Sequence, residues 1–257
     1  MNLSIRTENE KLKMVMGAVN SSATLQTYLK CSNVTAIDRL GYNDHGPVHV
    51  RIVAKKALKI LGILTENGIV PSCVRDHGLT EEDSEVIVYL ASILHDIGHA
   101  ISRDDHENLA IIIALPLLNG LLKGVYGNET RTIVISEVCH AIKSHEYSSN
   151  PLTLEAGIVK IADALDMEEG RARIPFSKGS VSIHSISALS IKKVRIREGK
   201  DDEKLIVIEI EMMNSAGIFQ IDDLLEEKLK HSGLEDYVSI YAKVVGEERS
   251  ILKEYRA

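Results

Sequence analysis

Apolar residues along the first two thirds of the chain recur every three to four positions. The run 48–64 carries Val48, Ile52, Val53, Leu58, Leu61 and Ile63 among Lys and Arg, the stripe of an amphipathic helix. Four further helices are predicted over 83–95, 106–122, 130–145 and 153–167. The run 106–122 is almost wholly apolar, which predicts a place at the centre of the core. Breaks fall at Asn67-Gly68, Pro71, Gly127-Asn128 and Asn150-Pro151, where turn-forming residues gather.

After Pro175 the period shortens towards two. Ile206, Ile208 and Ile210 alternate with Val207, Glu209 and Glu211, and Val194 and Ile196 alternate with Lys193, Arg195 and Arg197. A turn over 199–203 would join these strands. Asp222 reads as the N-cap of a helix carrying Leu224, Leu225 and Leu229; Gly233 would end it, and a last strand would follow over 238–245. The expected fold is mainly α: a helical bundle over 1–175, then a small β-β-α-β (α+β) subdomain over 176–257. An unpaired sheet edge in that tail suggests a dimer contact rather than a catalytic part, so a homodimer is expected.

Composition narrows the function. The 257 residues include no Trp, two Phe and eight Tyr, so the core rests on aliphatic side chains and no base-stacking face is expected. A net charge of −7 without a basic run argues against broad attraction to nucleic acid. Cys31, Cys73 and Cys139 are odd in number and lack paired spacing, which fits reduced, partly buried thiols. The first residues have no apolar signal core, and 109–122 is too short to span a bilayer, so a cytoplasmic protein is expected, with no membrane partner.

Candidate chemistry centres on Leu94-His95-Asp96-Ile97-Gly98-His99, at the end of a buried helix. Adjacent His and Asp point in different directions on a regular helix, so sharing one ion requires local distortion there or favourable rotamers. Upstream lies Asn43-Asp44-His45-Gly46-Pro47-Val48-His49; downstream lies Ile161-Ala162-Asp163-Ala164-Leu165-Asp166. Apolar neighbours predict a largely buried Asp163 carboxylate, which needs a cation or strong donors.

The order His49, His95-Asp96, Asp163 is the signature of the HD superfamily. The block from Leu94 to Arg173 resembles the HD domain of ribonuclease Y and related phosphodiesterases: it shares HDIG, a later His heading a helix (His106-Glu107), and a His block before the Ala-Asp-Ala segment. The whole chain, including GYNDHGPVH, GRARIPF, IHSISA and AGIFQIDDLL, looks like an archaeal family of uncharacterised HD phosphohydrolases. The resemblance implies that His49, His95, Asp96 and Asp163 hold a divalent metal (Mn, Fe, Ni, Zn or Mg). It further implies that Asp96 bridges to a second ion held by His106 and His145, with His140 a weaker candidate. Ser144-His145 stands where relatives with several metals carry His-His, and His99 replaces the usual lysine, so one ion with neighbouring polar histidines stays open.

A divalent ion makes water a usable nucleophile near neutral pH and draws charge from a phosphoryl oxygen. His99 would protonate the leaving oxygen or serve as a polar neighbour; Lys160, Arg171 and Arg173 would meet substrate phosphates or act as structural cations. His45 would be a ligand or, the favoured role, orient His49, and 183–188 would pack structurally or line the site mouth. The expected activity is hydrolysis of a small phosphate ester, a nucleotide phosphomonoester or phosphodiester. A ribonuclease Y-like RNA phosphodiesterase, a non-catalytic metal-bound nucleotide sensor and a dinuclear-iron oxygenase are the alternatives.

Overall fold

The computed structural model describes residues 1–168, 187 and 189–245. Eight α-helices come first: α1 Glu10–Ser21, α2 Ala23–Asn33, α3 Pro47–Glu66, α4 Ser72–His77, α5 Glu81–Leu94, α6 His106–Leu122, α7 Asn128–Ser144 and α8 Leu154–Ala164. The four helices expected after 48–64, and that helix itself, appear within a few residues of their predicted ends. α1 and α2 are additional, each opened by a side-chain cap: Asn9 accepts from Leu12 N, and Ser22 from Leu25 N.

α5 is the innermost helix. A capping box of Thr80 and Asp83 opens it, and every residue from Val86 to Leu94 is buried. α3, α7 and α8 pack around it. The apolar run of α6 does not occupy the centre as expected. α6 lies against α7 and the turn after α5, burying Ala110, Ile113, Ala114 and Leu118 while Ile112 stands 65% exposed. Apolar composition all round therefore did not mean burial all round.

The C-terminal region folds as β-β-α-β. β1 (Ile191–Glu198) pairs antiparallel with β2 (Ile206–Met212), and β3 (Val238–Val244) lies parallel on the other side of β2. The expected turn is present: Gly199 N donates to Leu205 O and Glu203 N to Lys200 O, with Asp201 at φ 49°. The intervening helix begins earlier than Asp222. It runs as three consecutive pieces, Ile218–Gln220, a π-helical Ile221–Glu226 and Glu227–Lys230, together called α9. Asp222 is thus interior, and the cap is supplied upstream by Asn214, which accepts from Ala216 N at the start of a 3₁₀ turn. Buried side chains from Leu3 to Val238 form one hydrophobic cluster, so the tail shares the core of the helical part. The expected boundary near residue 175 lies outside the described residues.

Candidate metal centre

α5 ends at Leu94, and the backbone changes direction at once. Asp96 sits at φ −99°, ψ 2°, and a 3₁₀ turn Ile97–Ala100 follows. This break turns the Asp96 carboxylate to the same side as His95, the first of the two ways in which adjacent ligands can share an ion. Gly98 is needed next: a Cβ there would lie 1.9 Å from the His106 carbonyl oxygen. That close approach presses the start of α6 onto the turn and brings His106 beside His99, their rings stacked at 4.4 Å.

His49 enters from the first turn of α3. Asp44 accepts from Gly46 N and His49 N, both at 3.1 Å, and Asn33 in turn donates to Asp44, which fixes the helix entry. Asp163 enters from the last turn of α8, and His145 from the end of α7.

Two sets of donor atoms result, one on each oxygen of Asp96. On the Oδ2 side, His49 Nε2 is 3.2 Å from Asp96 Oδ2, 3.2 Å from Asp163 Oδ1 and 3.2 Å from His95 Nε2. His95 Nε2 lies 3.3 Å from Asp96 Oδ2 and 3.6 Å from Asp163 Oδ1. On the other side, Asp96 Oδ1 faces His99 Nε2 at 3.5 Å, His106 Nε2 at 3.6 Å and His145 Nε2 at 3.8 Å. Ligand atoms about 2.0–2.2 Å from a common ion stand roughly 3.0–3.5 Å apart, so the first set has the spacing of a coordination shell and the second is slightly wider.

The ring nitrogens show what these sets accept. His95 Nδ1 faces Ser92 O at 2.9 Å, His106 Nδ1 faces Arg103 O at 3.1 Å, and His145 Nδ1 faces Ile142 O at 2.5 Å. A carbonyl only accepts, so each Nδ1 carries a proton, and each ring, when neutral, presents a lone pair at Nε2. His49 Nδ1 donates likewise to Asp166 Oδ2 at 2.6 Å, the carboxylate–imidazole arrangement that orients metal-binding histidines. Burial pushes His106 down and His145 well down from the ordinary histidine range, so both rings stay neutral. Their Nε2 lone pairs nevertheless meet at 3.2 Å. No hydrogen bond can join two acceptors; a cation satisfies both. The residues fit divalent ions, and the groups His49–His95–Asp163, His95–Asp96–His145 and His45–Asp96–His99 could each hold one.

Burial lowers the affinity of His95 for a proton, yet Asp96 and Asp163 beside it raise its pKa to about 9. Burial also works against ionised Asp163, but the Lys228 ammonium and the hydrogen bonds from His49 and His95 hold its carboxyl well below the usual range. Asp96 is likewise held well below that range, burial being outweighed by the charge on His95.

A family profile described as the HD domain matches residues 48–168, the span that carries His49, His95, Asp96, His106, His145 and Asp163. The whole chain is similar to MJ1020, an uncharacterized protein of Methanocaldococcus jannaschii, at 47% identity over 236 residues, 92% of this chain and 90% of that one. The chain carries an HD domain and is a homologue of that archaeal protein. No solved structure matches it. HD domains bind divalent metals and generally belong to metal-dependent hydrolases, and the HD domain here implies a metal-dependent phosphohydrolase.

Other residues of this HD domain lie differently from expectation. Lys160 is fully buried, and its ammonium donates to the carbonyls of Glu146, Tyr147 and Ser149, so it braces the loop after α7 instead of facing substrate. His140 lies away from the Asp96 sets, its Nε2 accepting from Leu152 N at 3.0 Å. His45 precedes α3 in non-helical backbone; its Nδ1 faces Asn43 O, and its ring is 4.6 Å from that of His99 but 5.8 Å from that of His49. Orientation of His49 falls to Asp166 instead. His99 has no exposed surface, and Arg103, which can only donate, reaches its Nε2 at 3.3 Å. Asp96 Oδ1 lies 3.5 Å from the same nitrogen, so the ring sits beside the second set of donors. Arg171, Arg173 and most of 183–188 lie outside the described residues; Ser187, within them, accepts from Gln220 Nε2 at 2.8 Å.

Sequence reasoning passed over three residues at this centre: Asp166, Arg103 and Lys228. Asp166 carried a signal, since it follows Asp163 by three positions in the same motif. Lys228 carried none. It comes from α9, 65 residues beyond Asp163, and its Nζ lies 2.6 Å from Asp163 Oδ2. Among the cysteines, none is disulfide-bonded; Cys73 is buried, Cys139 intermediate and Cys31 exposed rather than partly buried. No helix among the described residues is long and apolar enough to cross a membrane.

Proposed function

We propose that this protein hydrolyses a small phosphate ester, a nucleotide phosphomonoester or phosphodiester, at a centre of two divalent ions. The observation that carries the reading is the division of Asp96: one oxygen faces His49 and His95, the other faces His99, His106 and His145. In this reading His49, His95, Asp96 and Asp163 hold the first ion, and Asp96, His106 and His145 the second, with His99 on the same side of Asp96. Bound divalent ions supply Lewis acidity, both to an attacking water and to a phosphoryl oxygen.

The chain's own residues supply the frame. Asp166 fixes the His49 ring and its tautomer, and the carbonyls of Ser92, Arg103 and Ile142 do the same for His95, His106 and His145. Preorganised in this way, the donor atoms need no rearrangement as charge develops on the phosphoryl group. Arg103 is exposed beside His99 and suited to a phosphate oxygen. No Ser or Cys nucleophile is required.

The acidic charge and sparse aromatics favour a small ester over long RNA. A panel of nucleotide mono- and diesters and a short RNA, run with manganese, iron, nickel and magnesium, tests this. Release of phosphate or nucleotide from a small ester, little changed by added salt, is the expected result. Turnover confined to RNA and falling steeply with salt would place the protein with the RNA phosphodiesterases. Bound metal without turnover of any ester would make it a sensor.

A further inference from the structure

The C-terminal region is docked on the helix that carries Asp163. A Cβ at Gly157 of α8 would lie 2.2 Å from the Ser232 carbonyl oxygen, so the chain just after α9 rests directly on the α8 backbone. α9 then delivers Lys228 to the centre. Its Nζ donates to Asp163 Oδ2 at 2.6 Å while Asp163 Oδ1 stays turned to His49 and His95. The Lys228 side chain is only 11% exposed.

That single bond uses one of three ammonium protons. Among the described residues, Lys228 has no other hydrogen-bond or ion-pair partner. An ammonium so far out of water with unused donors is costly unless something accepts from them. The charges nearby identify what would. Asp96, Asp163 and Asp166 contribute three negative charges, and imidazoles protonated only at Nδ1 contribute none. One divalent ion and Lys228 together cancel the carboxylates, and a second ion leaves the centre positive. A buried positive centre with free N–H donors suits an anion.

We propose that Lys228 is the phosphate-binding cation of this centre, supplied by the C-terminal region, and that its free N–H groups bind a phosphoryl oxygen of the substrate. The assignment rests on the phosphohydrolase reading and deepens it. It makes the tail a part of the site, where the sequence suggested a dimer contact more than a catalytic part.

The test titrates inorganic phosphate into the full-length, manganese-loaded protein by calorimetry, with metal content and thermal melting followed in parallel. Lys228→Ala and Lys228→Gln are expected to keep their manganese and to bind phosphate at least about tenfold more weakly, as befits loss of a charge-assisted hydrogen bond. Lys228→Arg should bind within about threefold of the unsubstituted protein, since the charge and donors remain. With an active ester, Lys228→Gln should raise KM more than it lowers kcat. Phosphate affinity unchanged in Lys228→Gln would overturn the proposal, as would manganese loss with unchanged phosphate affinity in the sites still loaded, which would make Lys228 only a prop for Asp163. Loaded unsubstituted protein that binds no phosphate would also overturn it. A protein that takes up no manganese at all would instead sink the phosphohydrolase reading.

Discussion

The two faces of Asp96 are built from different chemistry. The Oδ2 face adds a second carboxylate, Asp163, to His49 and His95, with Asp166 behind one imidazole and Lys228 behind the carboxylate. The Oδ1 face offers imidazoles alone, at 3.5–3.8 Å from the shared oxygen. A divalent ion loses a costly hydration shell on entering such a site, and formal negative charge offsets that loss better than neutral nitrogen does. The Oδ2 face should therefore bind its ion more tightly. The Oδ1 face should be more selective for metals that favour imidazole, such as iron, nickel or zinc over magnesium.

The largest expected effect comes from removing what the faces share. Asp96→Ala should abolish binding of both ions and lower turnover by more than about a thousandfold, since loss of one preorganised donor alone costs roughly 10²–10³. Elemental analysis showing either ion retained at full occupancy would mean that the faces do not depend on a common ligand.

Substitution on one side only should separate them. Asp163→Ala is expected to remove the tighter ion, while His106→Ala combined with His145→Ala should remove the weaker one and leave the other in place. Competitive titration with manganese and iron reads the two stoichiometries. If the histidine pair can be removed without losing any bound metal, the Oδ1 face is a cluster of polar neighbours and the centre holds one ion.

A smaller loss is expected behind the first face. Asp166→Asn keeps the shape but weakens the acceptor that orients His49, and metal affinity should fall about 10–100-fold while the fold melts near its original temperature. An unchanged affinity would show that α3 alone positions the ring.

Acidity separates the faces as well. In the metal-free protein, Asp96 and Asp163 raise His95 to about 9, whereas His106 and His145 are pushed down by burial. A proton on His95 competes with the first ion. Below about pH 9 its binding should release a proton and weaken about tenfold for each unit of acidity, the competition easing as pH rises through 9. The second ion displaces no proton from His106 or His145 near neutral pH. Calorimetry in buffers of different ionisation enthalpy counts the protons, and a first ion that binds without releasing any would contradict the assignment of His95.

Much of this centre was legible because it is written in short motifs. His95-Asp96, His49 at the head of an amphipathic helix and Asp163 among apolar neighbours announce themselves by residue type, spacing and hydrophobic period, and the helices that carry them follow from the same period. Gly98 sits in that motif too, although its reason, the approach of the His106 carbonyl, is visible only in three dimensions. α6 shows where periodicity fails. An apolar run has no polar stripe to say which side faces solvent, so its partial exposure depends on what its neighbours leave uncovered.

The sequence by itself determined the helical class, the β-β-α-β tail and the residues whose chemistry suits a divalent ion, because local spacing encodes them. Only the tertiary structure decided how they are shared out. It gave Asp166 the orienting role expected of His45, tied Lys160 to backbone carbonyls, placed His99 beside Asp96, and set Lys228 on Asp163 from 65 positions away. Those outcomes depend on which faces meet when helices pack, and a pairing between distant elements leaves no period in the chain.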